Sequence, residues 1–342
     1  MILAVASGKG GTGKTTVSVN LARMFGPDVQ LLDCDVEEPN DHLFLKETPR
    51  GEETVTIPVP QVDESLCDGC GECGRFCAYH AIVSFGTTAL VFPEMCHGCG
   101  GCAKVCPKKA IHEVDHRIGM VETVQAENIT LVQGRLDVGV AMSPPLIRAV
   151  KARLRKGVPA ILDAPPGTSC PVIATLRGAD FVVLVTEPTP FGLHDLKLAV
   201  DMVRELRIPF GVVVNRVGIG DDRVHVFCGK EDTPILLEIP DDRRIAEAYS
   251  RGELIVEALP EYLAHFERLR EAVLERTATD FHDSAGVATR VATPGASTAA
   301  GAPALPGPGL GSPAPGLPGG PLPPYSPVDI SHGRVASRRL VP

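Results

Sequence analysis

Eight of the chain's eleven cysteines fall into two tight runs with one spacing, C-x2-C-x2-C-x3-C. The first run is Cys67, Cys70, Cys73 and Cys77; the second is Cys96, Cys99, Cys102 and Cys106. The repeat offset is 29 residues, and it also carries Ala81 and Ile82 onto Ala110 and Ile111. Three thiolates so close in sequence can cap three irons of an iron–sulfur cube, which leaves the fourth iron to a ligand from elsewhere. Tetrahedral zinc is the other chemistry open to four thiolates, but zinc sites use isolated C-x2-C pairs rather than such triplets. A second constellation lies near the amino end, where residues 8–15 read GKGGTGKT, a G-x-x-x-x-G-K-[ST] loop. Glycines there let backbone N–H groups curl around phosphate oxygens, and a following helix presents its positive end to them. Lys14 would reach the β- and γ-phosphates of a nucleotide, and Thr15 would ligate Mg²⁺.

Elements able to position these groups can be read along most of the chain. Short, nearly continuous apolar runs occur at 2–6, 29–33, 160–163, 181–186, 210–215 and 235–239. Such runs predict strands covered on both faces, as in a parallel sheet. Helical segments are predicted at 14–25, 144–156, 195–206 and 261–275. The alternation argues for an α/β fold: a doubly wound, mainly parallel sheet with ligands at the carboxyl ends of its strands. Between about 60 and 117 the rhythm breaks and glycine and cysteine dominate. The expected organisation is therefore a nucleotide-binding domain in two parts, 1–59 and 118–280, interrupted by a small α+β insert at 60–117. Residues 281–342 are rich in Pro, Gly and Ala, cannot bury enough apolar surface to offset chain entropy, and read as a disordered tail.

A net charge of −9 disfavours non-specific attraction to nucleic acid or an anionic membrane surface. No apolar run approaches the ~20 residues of a membrane helix. Residues 1–6 lack a basic lead and run straight into the glycine-rich loop, so they read as a buried strand rather than a signal peptide. Clustered cysteines without a secretory signal point to metal ligation in a reducing, cytoplasmic compartment. Cys34, Cys170 and Cys228 stand alone. Cys34 and Cys170 read first as packed, inert thiols, with a bridging cluster ligand as the alternative at Cys170.

The loop carries a second lysine, Lys9, and KGGTGKTT resembles the deviant phosphate-loop motif of the MinD/ParA superfamily, which also includes the nitrogenase iron protein and Mrp-type cluster carriers. That resemblance implies an ATPase in which Gly8, Lys9, Gly10, Gly11, Thr12, Gly13, Lys14, Thr15 and Thr16 hold the nucleotide. It further implies that Lys9 reaches across a homodimer, formed on ATP binding, to the partner's nucleotide. LLDCDVEEPN is similar to the family's switch I start, where Asp35 would position the attacking water and Asp33 would support the metal's water shell. ILDAPPG is similar to the strand end that leads into switch II, with Asp163 as the metal-site carboxylate. VVVNR and IPDDRRIAEAYSRG resemble the adenine-binding segments, which assigns the base to Asn215 and to the backbone near Pro240 and Asp241.

The cysteine runs resemble those of bacterial ferredoxins, in which each run's fourth cysteine ligates the other cluster. The resemblance implies two [4Fe–4S] clusters. One would be held by Cys67, Cys70, Cys73 and Cys106, the other by Cys96, Cys99, Cys102 and Cys77. Ala78 stands where many ferredoxins have proline, whereas Pro107 follows the second run. Taken together, about four-fifths of the chain resembles the branch of the superfamily with an inserted ferredoxin domain. That branch implies ATP, Mg²⁺, two clusters and a redox or iron–sulfur partner protein. Electron transfer is the leading expectation, cluster delivery the second, and a positioning switch the third.

Overall fold

The computed structural model describes residues 1–45 and 51–287. In chain order its elements are β1 (Ile2–Ala6), α1 (Lys14–Met24), β2 (Val29–Asp33), β3 (Gly51–Val62), α2 (Glu72–Phe76), β4 (Ile82–Phe85), β5 (Thr88–Val91), α3 (Gly101–Val105), β6 (Ile111–Ala126) and β7 (Ile129–Leu136). There follow α4 (Pro144–Lys151), β8 (Ala160–Asp163), α5 (Cys170–Leu176), β9 (Phe181–Thr186), α6 (Pro190–Leu206), β10 (Phe210–Val217), α7 (Arg223–Lys230), β11 (Ile235–Pro240), α8 (Arg243–Ser250), α9 (Ile255–Ala258) and α10 (Leu263–Val287). A 3-10 turn, Asp41–Phe44, sits between β2 and β3.

Nine strands form one sheet in the order β11-β10-β9-β1-β8-β2-β7-β6-β3. The first seven are parallel; β6 pairs antiparallel with β7, and β3 antiparallel with β6. The continuous apolar runs serve two cores at once, because successive strand residues point to opposite faces. Leu3, Val5, Leu31 and Ile161 face α1 and α10, while Ala4, Ala6, Leu32 and Leu162 face α4 to α7. A mainly parallel sheet wrapped on both faces is what the run-and-helix alternation predicts.

The stretch from β3 to β6 departs from that rhythm in an informative way. Only the Gly119–Ala126 half of β6 pairs with β7, whereas its partnership with β3 runs on to Ile111↔Val62. The far half of the pair is thus a two-stranded ribbon, and residues 63–110 hang from its end. β3 is an edge strand, so Pro58 and Pro60 cost it no ladder bond to a further strand. Its exposed, proline-bearing, polar-alternating sequence is why it does not read as a buried strand.

At the carboxyl end, α10 runs to Val287, twelve residues past the helical pattern expected to close at 275 and into the segment assigned to the tail. The rest of that segment, 288–342, lies outside the described residues. Among the described residues no helix is long and apolar enough to cross a membrane.

Candidate functional site

The phosphate loop lies between β1 and α1. Gly13, at φ +93°, caps the helix, and no side chain bonds to the first-turn N–H groups. Those donors are left for an anion. A side chain at Gly13 would also meet the Asn215 amide at 2.4 Å. Gly8 is compulsory for a second reason: a Cβ there would lie 2.2 Å from the Asp195 carbonyl oxygen on α6. Lys14 is buried. One cavity is lined by Gly10, Gly11, Gly13, Lys14, Thr15 and Thr16 from the loop and by Asp35, Glu38 and Asn40 beside switch I. Asn215, Arg216, Pro240, Asp241 and Tyr249 close its far side. The structure therefore brings the loop, the switch carboxylate and both segments assigned to the base around a single space.

Carboxylates meet where β2 and β8 end side by side, with Asp33 and Asp163 in register. Asp163 Oδ2 accepts a 2.8 Å hydrogen bond from the Thr15 hydroxyl, while Oδ1 is buried with no donor. Asp33 organises the switch turn, accepting from the backbone N–H groups of Asp35 (3.0 Å), Asn40 (2.9 Å) and Asp41 (3.1 Å). Burial raises the Asp163 carboxyl, and Lys14 opposes the shift. Burial, and then the charge of Asp163, pushes Asp33 well above the usual carboxylate range. Asp35 is pushed up to about 6 by burial, with Lys14 pulling down and Asp163 pushing up. Asp41, which the sequence reading passed over, is fully buried in this group, and neither of its carboxyl oxygens meets a donor. Burial, then Asp33 and Asp163, holds it well above its ordinary value. A buried Asp163 carboxylate bonded to the Thr15 hydroxyl and facing Lys14 is a donor set of the kind a hydrated divalent cation takes, since Mg²⁺ takes oxygen ligands and keeps several waters.

Asn215 reaches the site by way of the loop. Its amide donates to the Thr12 carbonyl at 2.8 Å, and its own oxygen accepts the Arg216 N–H at 3.0 Å. Lys9 pairs with Glu187 at 3.1 Å. Glu187 is the first residue past β9, a position at the carboxyl end of the sheet that could have flagged it. Cys170 corrects an expectation: it is exposed rather than packed. As the first residue of α5 it stands ahead of the side chains that enter the core, Val172, Thr175 and Leu176. Cys34 and Cys228 are buried, and burial lifts the Cys34 thiol far above its ordinary value and Cys228 to about 11.

The cysteine-rich segment repeats its backbone as well as its sequence. The helices α2 and α3 occupy equivalent places, each after a pair of left-handed glycines, Gly69 with Gly71 and Gly98 with Gly100. His80 and Lys109 share φ +53° at the matching turn after each fourth cysteine. The two halves interlock. One cavity is lined by Cys67, Cys70, Cys73 and Cys106, the other by Cys77, Cys96, Cys99 and Cys102. Among the described residues no three His, Cys, Asp or Glu side chains converge as ligands of one metal ion do; these thiols line the walls of a space instead. Backbone N–H groups of Gly98 and Ala110 point at the sulfurs of Cys96 and Cys106 at 3.4 and 3.3 Å.

The cavities are not equivalent. The second is walled by Pro58 and Pro60 of β3 and Glu113 of β6, and Tyr79 stacks on His97 at its rim with ring centroids 3.3 Å apart. Cys96 belongs to the same apolar core as Ile57, Val59, Val36 and α4. The first cavity packs only into a satellite cluster around Cys73, Ile82, Ala89, Cys102 and Ile111.

A phosphate loop at the carboxyl end of a parallel sheet, with carboxylates from two adjacent strands, defines a P-loop nucleotide-binding ATPase. Within that class, the chain belongs to the CobQ/CobB/MinD/ParA nucleotide binding domain family, which matches residues 3–255. An uncharacterized protein of Methanocaldococcus jannaschii is 33% identical over 264 residues, 74% of this chain and 90% of that one. An iron-sulfur cluster carrier protein of Pyrococcus abyssi is 28% identical over 74% of this chain and 78% of its own length. Among solved structures, the cell division ATPase MinD of Pyrococcus furiosus superposes with a TM-score of 0.51 at 21% identity, covering 80% of this chain and 98% of that one. At that identity the likeness speaks for the fold alone.

Proposed function

We propose that this chain is an ATP-hydrolysing iron–sulfur protein in which nucleotide-driven dimer switching is coupled to electron transfer, through two [4Fe–4S] clusters, to a partner protein. The observation that carries the reading is the crossed lining of the two cavities, three thiols from one run and the fourth from the other. That is the ligand exchange of two-cluster ferredoxins, and a lined space suits a multi-atom guest better than one ion bound at ~2.3 Å from four sulfurs. In this reading residues 60–117 form a ferredoxin-like insert. Cys67, Cys70, Cys73 and Cys106 hold one cluster, and Cys77, Cys96, Cys99 and Cys102 hold the other. Bound clusters supply one-electron redox chemistry.

In the ATPase half, the phosphates lie on the free N–H groups of the α1 terminus with Lys14 neutralising the leaving side. Thr15 and Asp163 would hold a hydrated Mg²⁺, which would neutralise phosphate charge; Asp33 holds the switch turn, and Asp35 would align the attacking water. Lys9 acts on the nucleotide of a second protomer. A second reading, a carrier that hands on clusters, is favoured by the names of several relatives and by the exposed thiol of Cys170.

One experiment separates them. Anaerobically purified chain is expected to hold about eight irons, to give one-electron EPR signals on reduction, and to keep its iron when mixed with an apo-ferredoxin and a chelator. Iron that leaves for the acceptor favours the carrier; stoichiometric zinc ends both readings.

A further inference from the structure

The sheet order sets β9 between β10 and β1. At the carboxyl ends of these three neighbours stand Arg216, Glu187 and Lys9. The Glu187 side chain is only 8% exposed, yet it serves two cations: Oε2 lies 3.1 Å from Lys9 Nζ and Oε1 lies 3.0 Å from Arg216 Nη1. Its backbone has little freedom. The Glu187 carbonyl accepts the Thr189 N–H at 2.8 Å, and the chain returns so close that a Cβ on Gly192 would lie 2.2 Å from that carbonyl oxygen. The Thr189 hydroxyl caps α6 by accepting the Gly192 N–H, and the Thr186 hydroxyl donates to the Gly192 carbonyl, each at 3.0 Å. The backbone that carries this buried carboxylate is therefore held in place. Lys9, 31% exposed on a flexible stem, is the movable member.

We propose that Glu187 is a positioning residue that holds Lys9 against its own protomer, so that the lysine reaches a partner's nucleotide only once this pair opens. The inference rests on the dimer reading above. A lysine whose Nζ sits on a buried carboxylate of its own chain cannot at the same time extend across an interface. Opening the pair would be prohibitive if it left Glu187 as an unpaired buried charge. Arg216 removes that obstacle: it stays on the other carboxylate oxygen after Lys9 departs. The phosphates of a second protomer offer Lys9 a competing partner of the kind that makes strong charge-assisted bonds. Two cations on one carboxylate are thus what a releasable clamp requires.

The test is dimer formation by the full, anaerobically prepared chain with Mg²⁺ and a non-hydrolysable ATP analogue, followed by sedimentation equilibrium. Glu187→Gln is expected to lower the half-dimerisation concentration about tenfold, equivalent to ~1.4 kcal/mol. It is not expected to rescue dimerisation in a Lys9→Ala background. Unchanged or weaker dimerisation by Glu187→Gln overturns the clamp, and so does rescue of Lys9→Ala, which would route the effect through Arg216. A measurement on the unsubstituted chain covers a variant that fails to fold. Without nucleotide, amine-selective acylation read by mass spectrometry should modify Lys9 several-fold more slowly than the exposed Lys156 and Lys230, because the pair must open before Nζ reacts. Equal rates overturn the clamp. A slow Lys9 in a chain that never dimerises supports the pair and instead overturns the dimer reading.

Discussion

Asp35 stands where four acidic side chains are gathered beside one lysine, and its ionisation is the clearest consequence of that crowding. Burial first, and Asp163 after it, pushes its carboxyl up to about 6, while Lys14 only partly compensates. A carboxyl whose folded pKa exceeds its unfolded value binds its proton more tightly when folded. Its charge therefore destabilises the nucleotide-free chain above about pH 6, and the penalty is relieved as pH falls toward 4. Asp35→Asn removes the titration and keeps the shape. We expect nucleotide-free Asp35→Asn to be more stable than the wild type at pH 8 by on the order of 1–2 kcal/mol, a figure discounted for the part of the group that solvent reaches. The gap should close between pH 6 and 4. Urea denaturation at pH 8, 6 and 4.5 checks this, and a gap independent of pH would show that the charge is not the cause. The Asp35 charge also raises Asp33 and Asp41, so the difference reports removal of that charge from the whole acidic group. Asp41 was not legible in the sequence, because nothing in LLDCDVEEPND marks which acid folds back under the switch. Only the 3-10 turn, pinned by Asp33, buries it.

At the scale of elements, legibility followed burial on both faces. The runs at β1, β2, β8 and β9 are continuous apolar stretches, and the strands begin and end where those stretches do. β3, β6 and β7 carry no such signal, for the opposite reason. β3 is an edge with two prolines, half of β6 belongs to a ribbon outside the main sheet, and β7 is interrupted by Gln133 and Gly134 at the site end. Cys170, a thiol in an apolar-looking segment, reads as packed, whereas helix phase turns it outward. The cysteine runs, in contrast, need no element assignment: the ferredoxin resemblance of their spacing implies the crossed grouping of thiols that the two cavities show. Packing then separates thiols that sequence treats alike. Cys96 is buried in the main core, while Cys70 is exposed. If the two proposed clusters are present, Cys96→Ala and Cys70→Ala should each lose about half of the iron, because each would remove one ligand of one cluster. With iron stripped under reducing conditions, only Cys96→Ala should also melt lower, by about 2–4 °C for each kcal/mol lost from the core. Equal melting temperatures would mean that Cys96 contributes nothing to that core.

For the whole molecule the question is how a nucleotide at the carboxyl end of the sheet would be felt by thiols in the segment that hangs from the ribbon. The chain offers one route of continuous packing. Val36 follows Asp35 directly, its carbonyl accepts the Leu136 N–H at 2.8 Å, and its side chain lies in the same core as Ile57, Val59 and Cys96. Packed side chains of this kind carry coupling only where they have two arrangements, and on the proposed mechanism the turn after Asp33 is the element that ATP would rearrange. The Cys67 cavity lacks that direct connection, as all of its lining residues lie between Cys67 and Ile111. On the two-cluster proposal, MgATP should therefore shift the potential of the cluster that Cys77, Cys96, Cys99 and Cys102 would hold, and leave the other nearly where it was. A displacement of ~60 mV in a one-electron couple corresponds to about 1.4 kcal/mol of coupling, which ATP affinity must return when that cluster is reduced. Anaerobic EPR titrations of Cys70→Ala and Cys99→Ala, with and without Mg²⁺ and a non-hydrolysable analogue, isolate the two clusters. The shift should survive in Cys70→Ala and vanish in Cys99→Ala. The reverse pattern would mean that coupling enters from the exposed side of the insert, across a dimer face, and not through the core beneath Asp35.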